Sequence, residues 1–288
     1  MWLHFVISEE PTVADQSPNW VPADVDITKP SAARAYDAFL GGGHNFEVDR
    51  RFAEQAEQVF PGVSNACRAN RDFLRRAVLW GMRAGVRQFL DLGSGIPTVG
   101  SVHELVHETD PTAPVVYVDN EPVAVAHSEL ILQDDPHAAV VRADLRRPES
   151  ILQHPATREF IDFDRPVMVF MLALLHFVPD ADDPAELTAR FRRALSPGSC
   201  LALTHATAAA RPEEMRALES LYATSANPAV ARTPEWIGGL FGDFAMVEPG
   251  AVFAPEWQSD VDGANPQDYI FFGGIGVKPD HTSATSRA

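Results

Sequence analysis

Two overlapping stretches carry residue types that could do chemistry. "HELVH", His103 to His107, fits H-E-x-x-H, the spacing that places two imidazoles on one helix face around zinc, with the glutamate as base. Just upstream, "DLGSG", Asp91 to Gly95, fits the glycine-rich turn that follows the first strand of a nucleotide-binding α/β fold. The first would activate a metal-bound water. The second would let a cofactor approach the backbone, with the following helix aiming free N–H groups at it.

The acids downstream separate the two readings. "VVYVDN" ends a second strand at Asp119, followed by Asn120, and an acid there accepts the hydroxyls of a ribose. "VRADLR" puts Asp144, followed by Leu145, at the end of a third strand, where a carboxylate or its neighbouring backbone can meet an adenine amino group. Any one of these acids could be a solvated loop residue. Three at consecutive strand ends, beside Gly93, Ser94 and Gly95, make an adenosine-type site. The turn reads "GSGIPT", with Thr98 where a dinucleotide fold has its third glycine. Asp91 would repel a pyrophosphate but suits a cofactor bearing an amino group, which favours S-adenosylmethionine over NAD. "HELVH" is read as coincidence. A zinc site needs a third ligand and an open position, and the nearest downstream acids on or near a following helix are Glu121 and Glu129, of which Glu121 falls at the sheet's carboxyl edge, away from the middle of the first helix.

The elements that must position these residues are legible as alternating apolar runs. Strands are expected at 86–92, 113–120, 138–145, 166–174, 199–206, 244–250 and 267–277, and helices at 98–110, 122–133, 182–195, 211–226 and 233–242. Alternation of this kind implies a parallel sheet with helices on both faces, and two successive strands at the end imply one antiparallel edge hairpin. Upstream, helices are expected at 31–40, 47–60 and 64–85, the last with a Ser or Asn cap. The expected organisation is an N-terminal arm and helical segment (1–85) folding over the cofactor site, an α/β domain (86–278) and a frayed tail (279–288).

Composition bounds the function. The chain has 288 residues, 45% hydrophobic and 22% charged, enough for a large globular core. A net charge of −17 argues against a broad grip on nucleic acid. Two distant cysteines suit a reducing compartment, no apolar run reaches membrane-spanning length and no signal peptide is read at the N-terminus, so a cytoplasmic protein is expected. Nothing in the sequence sets an oligomeric state.

The stretches "TKPSAARAYDAFLGGGHNFEVDR", "FLDLGSGIPTVGSVHE", "VVYVDNEPVAVAHS", "VVRADLRRP", "LLHFVPD", "LTHAT" and "VEPG" resemble the class I S-adenosylmethionine-dependent methyltransferases, in particular an actinobacterial set of unknown substrate. The likeness spans roughly residues 26–277. It implies a seven-stranded Rossmann-like sheet of order 3-2-1-4-5-7-6, its seventh strand antiparallel. It also implies that the "GGGHNFEVDR" segment walls the pocket, with Tyr36 and Asn45 near the cofactor's methionine end. Methyl transfer is a displacement that needs alignment and exclusion of water. Where it needs a base, His176 in "LALLHFVPD" is the expected one and His205 a weaker one. The expected acceptor is a small molecule. A non-catalytic S-adenosylmethionine-binding protein is the first alternative, and an NAD-dependent oxidoreductase or a zinc hydrolase the more distant ones.

Overall fold

In a computed structural model of the chain, the described residues are 25–97, 100–259 and 269–280. The sheet is built from β1 (Phe89–Leu92), β2 (Val115–Asp119), β3 (Ala138–Arg142), β4 (Met168–Leu172), β5 (Cys200–Ala206), β6 (Ala245–Met246), β7 (Val252–Phe253) and β8 (Phe271–Val277). The helices are α1 (Ala32–Leu40), α2 (Glu47–Val59), α3 (Val63–Arg83), α4 (Val102–His107), α5 (Pro122–Leu132), α6 (Pro148–Leu152), α7 (Pro155–Phe160), α8 (Pro184–Ala194), α9 (Pro212–Tyr222) and α10 (Pro234–Gly239).

The strands run in the order β3-β2-β1-β4-β5-β8-β6, and β7 also pairs with β8. The first five strands are mutually parallel, whereas β8 runs antiparallel between β5 and β6. This is the expected order, with one difference: the two-residue β7 raises the count to eight and makes the antiparallel strand the eighth. Two residues show no periodicity that a sequence pattern could register. As expected, the last two strand segments pair antiparallel at one edge of the sheet, β6 forming the edge and β8 lying next to it.

Strand side chains alternate between two cores, as a pleat requires. Phe89, Val115, Tyr117, Met168, Phe170 and Ala202 pack with Phe73, Ala77 and Val78 of α3 and with Val102 and Val106 of α4. Leu90, Leu92, Val116, Val118, Val169, Met171 and Leu203 face the opposite way, against Leu187 and Phe191 of α8, Ile151 of α6 and Ile237 of α10. Burial on both faces explains why these strands lack a polar alternate.

The N-terminal helices are close to expectation, but α3 is capped differently. Its N-cap is Gly62, in a left-handed conformation, and the Glu57 carboxylate of α2 accepts from the Gly62 and Ser64 amides. A buried ion group then ties these helices to the sheet. Arg34, 2% exposed, donates from Nε to Asp49 at 2.9 Å and from Nη1 to Glu121 at 2.8 Å. Asp49 also accepts from the Ser31 and Phe46 amides, and Glu121 caps α5 by accepting from Ala124. Arg50 holds the Asn45 carbonyl and side-chain oxygen.

Several expected boundaries shorten. Strand three stops at Arg142, which leaves Asp144 and Leu145 in the following turn. The helix expected from residue 98 begins at Val102, capped by Ser101 and Glu104. Thr98 lies outside the described residues, as do residues 1–24 of the expected arm and 281–288 of the expected tail.

Candidate functional site

The carboxyl ends of β1, β2 and β4, the turn after β3, and helices α1 and α3 enclose a cavity of about 430 Å³. That is within the usual size for a small-molecule or cofactor site. It lies where ligands bind open parallel sheets.

The glycine turn forms one wall. Gly93 and Gly95 have φ of +66° and +62°. At Gly93 a side chain is excluded twice, by this backbone conformation and because a Cβ would collide with Leu174. The Gly93 and Ser94 amides donate to the Val118 carbonyl, which locks the turn onto β2. Asp119 holds the next residue: its Oδ2 accepts from the Gly95 amide at 2.7 Å and its Oδ1 from the Glu121 amide at 2.9 Å. A carboxylate has about four lone-pair positions, so acceptor capacity remains for hydroxyl donors. Burial raises the Asp119 pKa, and the amides of Glu121, Gly95 and Asn120 oppose that shift.

Asp91 lies at the base of the cavity and is 8% exposed. Burial pushes its carboxyl up to about 7, against the pull of Arg71 and with reinforcement from Asp119. Arg71 of α3 lines the same cavity, and its Nε is buried with no hydrogen-bond partner among the described residues. A buried unpartnered guanidinium donor is costly and calls for an anion. An acid and a guanidinium with a buried, unpartnered Nε on one cavity form a complement for an amino-acid zwitterion.

Tyr36 sits beside Arg71, 6.0 Å from guanidinium carbon to ring centroid. Its hydroxyl donates to the Cys67 carbonyl and accepts from Asn70 Nδ2. Asn70 Oδ1 accepts from the Thr204 hydroxyl at 2.7 Å, and Thr204 Oγ1 accepts from the Ala173 amide at 3.0 Å. This relay joins α1 and α3 to the ends of β4 and β5. Ala173 takes φ of +50°, strained for a residue with a Cβ, and lines the cavity just beyond β4.

The structure therefore brings Tyr36, Asp91, Gly93, Ser94, Gly95, Asp119, Asn120, Asp144 and Leu145 to one cavity. The Asp144 carboxylate is already engaged by Arg146, through the backbone amide at 2.9 Å and the guanidinium at 2.6–3.0 Å, which lowers its pKa. Both of its oxygens are thus already in use as acceptors.

Two expected residues do not line that cavity. Asn45 is occupied: its amide donates to Asp37 Oδ2 and the Gly42 carbonyl, and its oxygen accepts from Arg50. It fixes the Gly41–Gly43 bend, where a Cβ on Gly42 would collide with the Asp37 carboxylate. His176 lines a second cavity of about 40 Å³, which shares Ala32, Tyr36, Ala173 and Phe177 with the first. Its Nδ1 accepts from the Ala206 amide at 3.4 Å, which assigns the ring proton to Nε2. Burial, His205 and Arg232 hold its pKa well below the usual histidine range. With its free lone pair turned to the backbone, it is poorly set up as a base. His205 donates from Nδ1 to the Ala206 carbonyl and accepts from Arg232 at Nε2, so it is not free for catalysis either.

The "HELVH" imidazoles are likewise committed. His103 Nδ1 meets the Tyr117 hydroxyl at 2.8 Å, and His107 Nε2 donates to the Ala113 carbonyl at 2.9 Å with Nδ1 near Asp135. Among the described residues no group of three or more His, Cys, Asp or Glu is arranged to hold a metal ion.

A mostly parallel sheet in this order, with an acid in β1, a glycine turn just after it and an acid ending β2, defines a Rossmann-like methyltransferase of class I. The chain belongs to the S-adenosyl methyltransferase family, whose profile matches residues 18–279, and its cofactor is S-adenosylmethionine. It is similar to a protein from Thermobifida fusca YX described as a candidate methyltransferase, at 40% identity and a TM-score of 0.85, covering 91% of this chain and 100% of that one. It is also similar to a DUF574-family protein from Streptomyces avermitilis MA-4680, at 35% identity and a TM-score of 0.85, covering 88% and 99%. No curated protein matches the sequence.

Proposed function

We propose that the protein transfers the methyl group of S-adenosylmethionine to a small-molecule acceptor, with the cofactor seated in the cavity between the glycine turn and α3. The observation that carries this reading is the pairing of Asp91 with the unpartnered Arg71 Nε at one part of the cavity and Asp119 at another. The first pair suits an ammonium and a carboxylate, and Asp119 suits a ribose diol. The cofactor supplies an electrophilic methyl on a sulfonium, and no phosphate to conflict with Asp91.

In this reading Gly93, Ser94 and Gly95 present backbone to the cofactor, Asn120 and Leu145 flank the nucleoside, and Tyr36 closes the methionine end. The helices of residues 25–85 form the cover that excludes water. Asn45 acts at one remove by holding the glycine bend beside α1. Two free, buried cysteines suit a reducing compartment such as the cytoplasm.

The test is calorimetric titration with S-adenosylmethionine and S-adenosylhomocysteine, on wild type and Asp119→Asn. Micromolar binding by wild type, weakened about 10- to 100-fold in the variant by loss of a charge-assisted hydrogen bond, is the expected result. Absence of binding to either ligand by folded wild type would overturn it.

A further inference from the structure

We propose that the small cavity beside the cofactor site receives an apolar arm of the methyl acceptor, and that His176 Nε2–H is the hydrogen-bond donor that orients that acceptor. This rests on the methyltransferase reading, and deepens it by naming the class of acceptor as a molecule with a branched aliphatic or ring portion close to an uncharged nucleophile.

Both cavities are lined by Ala32, Tyr36, Ala173 and Phe177, so a molecule seated in the small one lies directly beside the large one. The rest of the small cavity is mainly apolar, with Phe39, Val63, Met215, Leu218, Ile270 and Phe271 on its walls. At about 40 Å³ it has room for about three water-sized groups, the scale of a short branched alkyl chain or a ring edge. A strongly polar arm would lose its hydration here without replacement.

Its polar groups are few. The Tyr36 hydroxyl is used within the relay to Cys67 and Asn70. Glu219 Oε1 accepts from the Ala231 amide. By contrast, His176 Nε2 carries a proton and has no partner in the hydrogen bonds of the described residues, and the same holds for the Tyr222 hydroxyl. A pocket of apolar walls with one or two unpaired donors orients a ligand by its single polar atom.

The transfer balances without an added reactant. The acceptor's lone pair forms a bond to the methyl carbon, the carbon–sulfur bond breaks with its electron pair on sulfur, and the acceptor's proton leaves to solvent. His176 is thus a positioning residue, and no proton is routed through it.

The test uses the S-adenosylhomocysteine complex of the full chain, titrated with isobutanol and with glycerol by ligand-observed NMR, and with xenon by ¹²⁹Xe NMR. Isobutanol is expected to bind at least tenfold tighter than glycerol. Ala231→Phe, which fills the cavity from a half-buried loop position, is expected to weaken isobutanol at least fivefold and leave S-adenosylhomocysteine affinity within twofold. His176→Phe is expected to weaken isobutanol several-fold relative to xenon, which needs no donor. Should Ala231→Phe fail to fold, Met215→Ala must admit benzene at least fivefold better than wild type does. Equal binding of isobutanol and glycerol, or indifference to the cavity variants, would overturn the proposal. The methyltransferase reading fails separately, by loss of cofactor binding on the same samples.

Discussion

Cofactor binding is expected to release a proton from Asp91. The carboxyl sits at about 7 in the cofactor-free protein because it is buried and near Asp119. A bound ammonium would return it to the ordinary carboxylate range near 4. Below pH 7 the protein must therefore give up a proton to bind, at about tenfold in affinity, or about 1.4 kcal/mol, per pH unit. Between pH 7.5 and pH 5 the dissociation constant should rise about 100-fold, with the upper limit set by loss of the cofactor's own amino proton near 8. At pH 6 about 0.9 proton should be released per cofactor bound, by the same two pKa values. Calorimetry in two buffers of different ionisation enthalpy measures that number directly. Asp91→Asn should abolish the release, flatten the profile from pH 5 to 7 and weaken binding at pH 7.5 by about 10- to 100-fold. A flat wild-type profile, or an unchanged slope in Asp91→Asn, would refute the ammonium–carboxylate pairing.

Arg71→Met should weaken S-adenosylhomocysteine about 10- to 100-fold while leaving adenosine affinity unchanged, because only the amino-acid end loses a partner; calorimetry with both ligands decides. Arg34→Ala should destabilise the fold by about 3–5 kcal/mol, since it leaves Asp49 charged and fully buried; the shift in denaturant midpoint measures it. Two buried groups should also act on stability with opposite signs. His205, lowered from 6.5 to about 4, supports the fold fully above pH 6.5 and loses that support as pH falls toward 4, by about 3 kcal/mol in all. Asp91 is raised instead, so its contribution in the cofactor-free protein is largest below pH 4 and lost as pH rises through 7, by about 4 kcal/mol. Urea titrations from pH 4 to 7.5 should show His205→Gln lowering, and Asp91→Asn raising, the slope of stability against pH relative to wild type.

The parts of this molecule written in apolar period were legible from sequence. β1, β2, β4 and β5 are apolar on both faces because both faces are covered, and Asp91 of β1 and Asp119 at the end of β2 stand out against that background. The order of the strands came with the family resemblance. Short elements escaped: α6 and α7 have five and six residues and β7 has two, too few to repeat. Arg71 escaped for another reason. It is one of five arginines on α3, and charge on an amphipathic helix normally means solvent. The available signal was its phase, four residues after Cys67 and three before Leu74, both of which are buried. Asn45 and His176 show the converse limit. Sequence put them near the site, but only the geometry shows that Asn45 has spent its hydrogen bonds and that His176 faces the neighbouring cavity.

The Arg34–Asp49–Glu121 group has a thermodynamic consequence for ligand capture. It fastens α1 and α2 to the residue that caps α5, two positions beyond Asp119. Opening that side of the cavity would strand buried charges, so the helices are held in place before any ligand arrives. On that side binding then carries little ordering entropy, and its heat-capacity change should add little beyond the surface of the ligand and the cavity wall. It should not approach the values of a segment that folds around its ligand. There the protein meets its cofactor as a finished receptor.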